Sequence, residues 1–255
     1  PMTRPSYLLL VVIAFALEVV DASFGMGYGT ILTPALLMMG YEPLQVVPAV
    51  IASQLVGDFL AVFFHHHFKN VNMSVDSPHF KIAGALAIFS LAGSVMAVLF
   101  ALKLSKFALN MYIGVLVLIV GVVVLMTRDK QRDFSWLRLL FLGSIASFNK
   151  GLSGGGYGPV VTGGQLLTGV DVRAAIGITS LAEGVTCIAA FLTYILAGKQ
   201  IDWMLALMLA IGVGLSTPVA ALIVRKMDRK RLKLIIGVCT VLMGALTIFK
   251  TTRIL

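Results

Sequence analysis

Charged residues are what this sequence has least of. Asp, Glu, Lys and Arg make up 12% of its 255 residues, and 59% are hydrophobic. Soluble domains carry about 25% charged residues, so a water-soluble fold of this length would lack the polar surface to cover itself. With a mean hydropathy of +0.99, the chain is expected to lie in a membrane, where lipid-facing helices need no such cover. Cysteine is also scarce. Cys187 and Cys239 both fall inside apolar runs and read as small buried hydrophobes, which argues against a disulfide scaffold or a thiolate metal site. Histidine occurs only at 65–67 and 79. No span therefore holds a His for nucleophilic or metal-assisted catalysis, and an enzyme is not expected. Three consecutive histidines point in different directions from a helix and do not easily share one ion, so neither a metal nor a cofactor is expected. The first apolar run is expected to belong to the fold rather than to a cleaved leader, and Pro1, ahead of Met2, is set aside as foreign to the native chain.

What is present is a series of apolar runs. A membrane-crossing helix needs about 20 mainly apolar residues. Six runs reach or approach that length: 45–64, 82–102, 107–126, 174–197, 203–224 and 232–249. Four are shorter: 7–21, 30–40, 136–148 and 159–169. The short ones form two pairs, each joined by a glycine-rich break, Gly25-Met26-Gly27-Tyr28-Gly29 and Gly154-Gly155-Gly156-Tyr157-Gly158.

The net charge of +9 comes from cations in the short loops between runs. That is the signature of membrane topology and not of nucleic-acid binding. The richest basic loops, 127–138 and 225–233, are expected to be cytoplasmic. Between them lie one short pair and two full spans, and two loops on one side require an even number of crossings. A re-entrant hairpin, or two thin crossings, satisfies this; a single broken span does not. With hairpins, 65–81, 127–138, 169–173 and 225–233 lie inside and hold 13 of the 20 Lys and Arg, and both termini lie outside.

The two halves align without gaps at an offset of 129. Seven of 16 positions are identical between 25–40 and 154–169, among them Gly25/Gly154, Gly27/Gly156, Tyr28/Tyr157 and Gly29/Gly158. The expected fold is an all-α polytopic membrane protein of two repeats, 2–127 and 135–255, joined by a basic linker at 128–134. Each repeat is a glycine-broken hairpin followed by three transmembrane helices. Because three is odd, the second repeat enters from the opposite face. Such inverted-topology repeats place substrate near the midplane, where the broken helices meet.

Both glycine breaks are followed by an apolar stretch, a turn at Gly40 or Gly169, and then Ala-Val-Ile-Ala-Ser (49–53) or Ile-Gly-Ile-Thr-Ser (176–180). In this the chain resembles the TauE/SafE sulfite exporters, also called the toluene-sulfonate uptake permease family, over nearly its whole length. It departs from the family pattern in the first half, where Met26 interrupts the glycines and Ser53-Gln54 stands in place of Thr-Ser. The resemblance implies a secondary transporter of sulfite, thiosulfate, sulfonates, sulfoacetate or other small organic anions in a bacterial-type inner membrane. A small-anion channel and a transporter of small carboxylates are the alternatives.

Glycine lets another group approach the backbone closely, and Thr30 and Pro159 follow the breaks. A half-helix is therefore expected to start at each break, with its free N–H groups and positive dipole end at the midplane. The expected substrate contacts are Gly25, Gly27, Tyr28, Gly29 and Thr30 from the first break, and Ser153, Gly154, Gly155, Gly156, Tyr157 and Gly158 from the second, with the Ser180 hydroxyl. The competing reading is that the glycines only permit tight packing. Charges at membrane depth are functional candidates by default. Glu18, Asp21, Asp58 and Glu183 are the candidates to carry a coupling proton. Lys150 is equivalent to Asp21 under the repeat; it either attracts the anion or is neutralised by Asp21.

Overall fold

The computed structural model describes residues 6–39, 41, 43–101, 106–126, 134–153, 157–196 and 201–253. Among them every regular element is a helix. The first half holds α1 (Tyr7–Phe24), α2 (Tyr28–Met38), α3 (Pro43–His67), α4 (Pro78–Ala101) and α5 (Lys106–Met126). The second holds α6 (Trp136–Ser153), α7 (Tyr157–Leu167), α8 (Val172–Leu196), α9 (Trp203–Lys226) and α10 (Arg229–Arg253). The linker residues 128–133 lie outside the described residues.

Each of the ten apolar runs lies in a helix, and several of these helices are longer than their runs. α1 and α6 have 18 residues each, longer than the runs 7–21 and 136–148. α1 is long and apolar enough to cross a membrane, as are α3 from Gln45, α8, α9 and α10. α1 continues beyond Asp21 through Ala22, Ser23 and Phe24 to its cap at Gly25. By contrast α2 and α7, with 11 residues each, extend about 16 Å at 1.5 Å per residue. A hydrocarbon core of about 30 Å is beyond their reach, so each is a half-helix.

The repeat is written in the helix boundaries. α1, α2 and α3 map onto α6, α7 and α8 at both ends with an offset of 129. Packing follows the same correspondence. α1 lies against α9 and α6 against α4; α3 packs on α9 and α8 on α4; α3 meets α8, and α5 meets α10. The two halves thus exchange helices across their interface. Direction can be read from close contacts. Along α5, positions 114, 118 and 121 face 248, 244 and 241 of α10, so these helices run antiparallel. Asp58 and Phe59 of α3 face Gly184 of α8, while His65 faces Gly177, so this pair is antiparallel too. In the second hairpin the Ser135 N–H donates to the Thr168 carbonyl at 3.2 Å, which holds the start of α6 beside the end of α7.

The outer faces are apolar. On α9, Met204, Leu207, Ile211, Leu215, Val219 and Leu222 are exposed, while Leu205, Leu209, Val213, Ala220 and Val224 on the other side are buried. The exposed stripe has helical spacing and no polar rim, as a lipid-facing surface requires. Between α5 and α10 the hydrophobic effect supplies little in lipid, and small residues allow close backbone approach instead. A Cβ at Gly244 would sit 2.5 Å from the Leu118 backbone nitrogen, whereas one at Gly84 in α4 would meet nothing within 4 Å. Gly244→Ala should therefore destabilise the protein by about 1–3 kcal/mol through overpacking. Gly84→Ala should be neutral or stabilising, since Ala is the better helix former by up to about 1 kcal/mol. Chemical unfolding of the two variants in detergent checks the difference in sign.

Candidate functional site

The first break is built by glycine geometry and one carboxylate. α1 ends at Gly25, whose backbone is left-handed (φ 72°) and whose N–H returns to the Asp21 carbonyl at 2.6 Å. Gly27 also has positive φ, at 126°. The chain then turns into α2 at Tyr28, and the Tyr28 N–H donates to Asp21 Oδ1 at 3.0 Å. Asp21 thus caps α2 from the preceding helix, satisfying one of the orphan donors of a buried helix start.

The second break lies directly on the first. A Cβ at Gly158 would overlap the Gly25 carbonyl oxygen and come within 3.0 Å of the Met26 Cα. The Thr162 hydroxyl donates to the same Gly25 carbonyl at 3.1 Å. Thr162 also bonds Thr179 of α8 at 3.0 Å, and Gln165 donates to Thr179 at 2.8 Å. Met26, which interrupts the glycines, is buried, and the Thr240 hydroxyl of α10 contacts its sulfur at 3.4 Å. The two broken helices of the two halves therefore meet at one point in the interior.

Both tyrosines of the breaks are fully buried. Tyr28 lies 2.8 Å from the Ser53 hydroxyl, and Ser53 donates its own hydrogen to the Val50 carbonyl at 2.9 Å. Tyr28 is then the donor to Ser53. Tyr157 bonds Ser90 of α4 at 2.7 Å. Each phenol is thus engaged with a protein hydroxyl, the first within its own half and the second across the interface. Ser180 donates to the Ile176 carbonyl in its own helix at 3.2 Å, as Ser in membrane helices commonly does. The side chains of Thr30, Lys150 and Ser153, and all of Gly154, Gly155 and Gly156, lie outside the described residues.

The four candidate carboxylates come together. Glu18, Asp21, Asp58 and Glu183 are all buried. Oxygens of Asp21, Asp58 and Glu183 lie within 4.8 Å of one another. Glu18 leans on α3, with Oε1 2.9 Å from the position of a Cβ at Gly57. Its Oε2 is buried without a hydrogen-bond partner among the described residues. Glu183 accepts from Gln54 Nε2 at 2.9 Å, and Asp58 Oδ2 lies 3.8 Å from Cys187 Sγ. Both pairs are 129 residues apart, so each joins equivalent positions of the repeat. Both contacts lie where α3 packs on α8.

Several of these residues were invisible to pattern reading. Cys187 is buried as expected, but it has a polar neighbour in Asp58 and is not merely a small hydrophobe. The apolar run 45–64 ended before the histidines, yet α3 continues through His67. His65 is buried; its Nε2–H donates to the Ala22 carbonyl at 2.8 Å, and Asn70 bridges from its Nδ1 to the Ala221 carbonyl of α9. No pattern in the sequence marked His65, whose partners Ala22 and Asn70 lie on other segments.

Long apolar helices with lipid-facing stripes, around two half-helices that meet at a buried polar centre, are the architecture of a polytopic membrane transporter. The chain belongs to the family described as Sulfite exporter TauE/SafE, whose sequence model matches residues 9–247. It is also similar to the "Probable membrane transporter protein YtnM" of Bacillus subtilis (strain 168), with 25% identity over 243 residues, covering 91% of this chain and 79% of that protein.

The hydroxyl contacts of the two breaks set a measurable expectation. A neutral hydrogen bond contributes about 0.5–1.5 kcal/mol net. Tyr28→Phe and Tyr157→Phe should each lower unfolding free energy by about that amount in detergent. Ser53→Ala combined with Tyr28→Phe should cost less than the sum of the two single changes.

Proposed function

We propose that this protein is a secondary transporter of small sulfur-containing anions of the sulfite, thiosulfate, sulfonate or sulfoacetate type. It works by alternating access between two inverted-topology repeats in a bacterial inner membrane, with both termini outside. The observation that carries this reading is the meeting of the two halves at their breaks, where Gly158, in the first turn of α7, lies on the Gly25 carbonyl just ahead of α2. Two half-helix starts near the midplane supply donors and positive dipole ends for an anion. The antiparallel course of α3 with α8 and of α5 with α10 supports the inverted repeat, because equivalent helices reverse direction only when the axis lies across them.

The Tyr28 N–H adds a coupling step to this reading. Its partner is the Asp21 carboxylate, which occupies the place of a substrate oxygen at the start of α2. An anion arriving there competes with a tethered anion. A proton taken up on Asp21 removes that charge and releases the N–H to the substrate, so proton and anion move together. The neighbouring carboxylates Glu18, Asp58 and Glu183 give the proton a path within the same cluster. Since each of them repels an anion, protonation before binding is the favourable order. The phenols of Tyr28 and Tyr157 shape the site on this account, while backbone N–H groups and Lys150 contact the substrate.

Thermal stabilisation of the purified protein by sulfite, thiosulfate, sulfoacetate, taurine and small carboxylates tests the substrate class. One anion should stabilise selectively, and Lys150→Ala and Gly156→Leu should abolish the effect; equal stabilisation by every anion, or by none, refutes the reading. In proteoliposomes, Asp21→Asn should retain substrate counterflow but lose accumulation driven by a pH gradient. Counterflow itself separates a carrier from a channel.

A further inference from the structure

Packing divides this chain differently from its sequence. α1 packs chiefly on α9, α6 chiefly on α4, and α5 and α10 chiefly on each other. Each pair joins one helix from each half. The buried apolar side chains sort in the same way. One core is built from α1, α2, α3 and α9, with Ala14, Leu32, Val50 and Leu209 among its members. A second is built mainly from α4, α6, α7 and α8, with Leu86, Leu139, Val160 and Ile178 among its members. Among the described residues none belongs to both. A group of helices with its own core is the unit that holds together when a protein moves or opens.

Close contacts and hydrogen bonds tie each unit internally, and they do so across the halves. Gly212 of α9 lies on the Val11 carbonyl of α1, and Gly143 of α6 lies on the Leu86 side chain of α4. In the first unit His65 of α3 donates to the Ala22 carbonyl of α1, and Asn70 links His65 to the Ala221 carbonyl of α9. In the second, Tyr157 of α7 bonds Ser90 of α4 at 2.7 Å.

The seam between the units has a different character. It is formed by α3 and α8. Gln54 meets Glu183 there and Asp58 meets Cys187, and the Thr162 hydroxyl of the second unit reaches the Gly25 carbonyl of the first. Gly177 and Gly184 of α8 face His65 and Asp58, so two positions about two turns apart present no side chain to α3. Interlocked apolar cores resist displacement. A hydrogen bond across a smooth seam is exchanged at a modest net cost of about 0.5–1.5 kcal/mol.

We propose that the moving parts of this protein are not its two sequence halves but two helix-exchanged bodies, α1–α3 with α9 and α6–α8 with α4, which separate and close at the α3–α8 seam. This rests on the alternating-access reading and adds to it which helices travel together. The chain passes between the bodies at 68–77, after α3, and at 197–202, after α8. Gly25 rides on one body and Gly158 on the other, so a ligand held between the breaks touches both. Its binding is therefore linked to their separation.

Four exposed positions distinguish the two divisions: Leu8 on α1, Ile88 on α4, Leu137 on α6 and Leu222 on α9. Val12, Phe141 and Leu215 are exposed substitutes on α1, α6 and α9 should a labelled variant fold poorly. Spin labels are placed in pairs on the full chain carrying Cys187→Ser and Cys239→Ala. Pulsed dipolar spectroscopy in lipid nanodiscs then gives the distances, without ligand and with sulfite, thiosulfate, sulfoacetate or taurine. Pairs 8–222 and 88–137 share a body but not a half; pairs 8–88 and 137–222 share a half but not a body. The first two should keep one narrow distance in every condition. The second two should shift by more than the ~1–2 Å of a local helix adjustment, or show two populations without ligand. The reverse pattern, or four distances that change together or not at all, overturns the proposal. If no anion alters any pair, the substrate reading fails and the unliganded distributions still decide. Two populations confined to 8–88 and 137–222 uphold the exchanged bodies, and one narrow distance in all four pairs refutes them.

Discussion

A helix that stops half-way through a bilayer leaves backbone N–H and C=O groups where there is no water to receive them, and each unsatisfied group costs several kcal/mol. The rest of this structure answers that constraint. Gly25 turns the chain back with its N–H on the Asp21 carbonyl, and Asp21 reaches forward to the Tyr28 N–H. The Gly25 carbonyl is received by Thr162 of the other half. The first break is therefore not completed by its own half alone. The two halves are joined where their helices break.

The same junction explains why the repeat has not stayed symmetric. Where α3 crosses α8, equivalent positions face each other, so two identical acids there would repel at close range in a medium of low dielectric constant. The chain instead places Gln54 against Glu183 and Asp58 beside Cys187. Each pair keeps one acid and gives the other side a donor. Divergence at this crossing keeps each of these two carboxylates from facing an acid at its own equivalent position, although Asp58 and Glu183 still lie close to each other and to Asp21. Away from this crossing the constraint relaxes: Tyr28 finds Ser53 in its own half, while Tyr157 finds Ser90 in the other.

Much of the fold was legible because bilayer thickness converts length into topology. Ten apolar runs became ten helices, and the glycine breaks fell between α1 and α2 and between α6 and α7. Errors arose where polar residues sat inside helices. α1 runs on past its last apolar stretch to Phe24, and α3 runs through its histidines. A hydropathy count registers the polarity of Glu18, Asp21 or His65, but not the partners that make it tolerable. The candidate site was legible as residue types: acids at depth, glycines at the breaks. Which donors are already engaged was not legible, because Ser53, Ser90 and Ala22 are remote in sequence from the groups they satisfy.

The sequence by itself determined the membrane class, the two-fold internal repeat and the position of each broken helix. These depend on local composition and on periodicity, which a linear chain carries in full. Only the tertiary structure decided that the two breaks lie against each other, that four acids from three helices converge, and that Asp21 is both a cap and a charge. Such facts depend on contacts across a turn or between distant segments, from 7 to 137 positions apart, and a hydrogen bond is fixed by distance and angle in space.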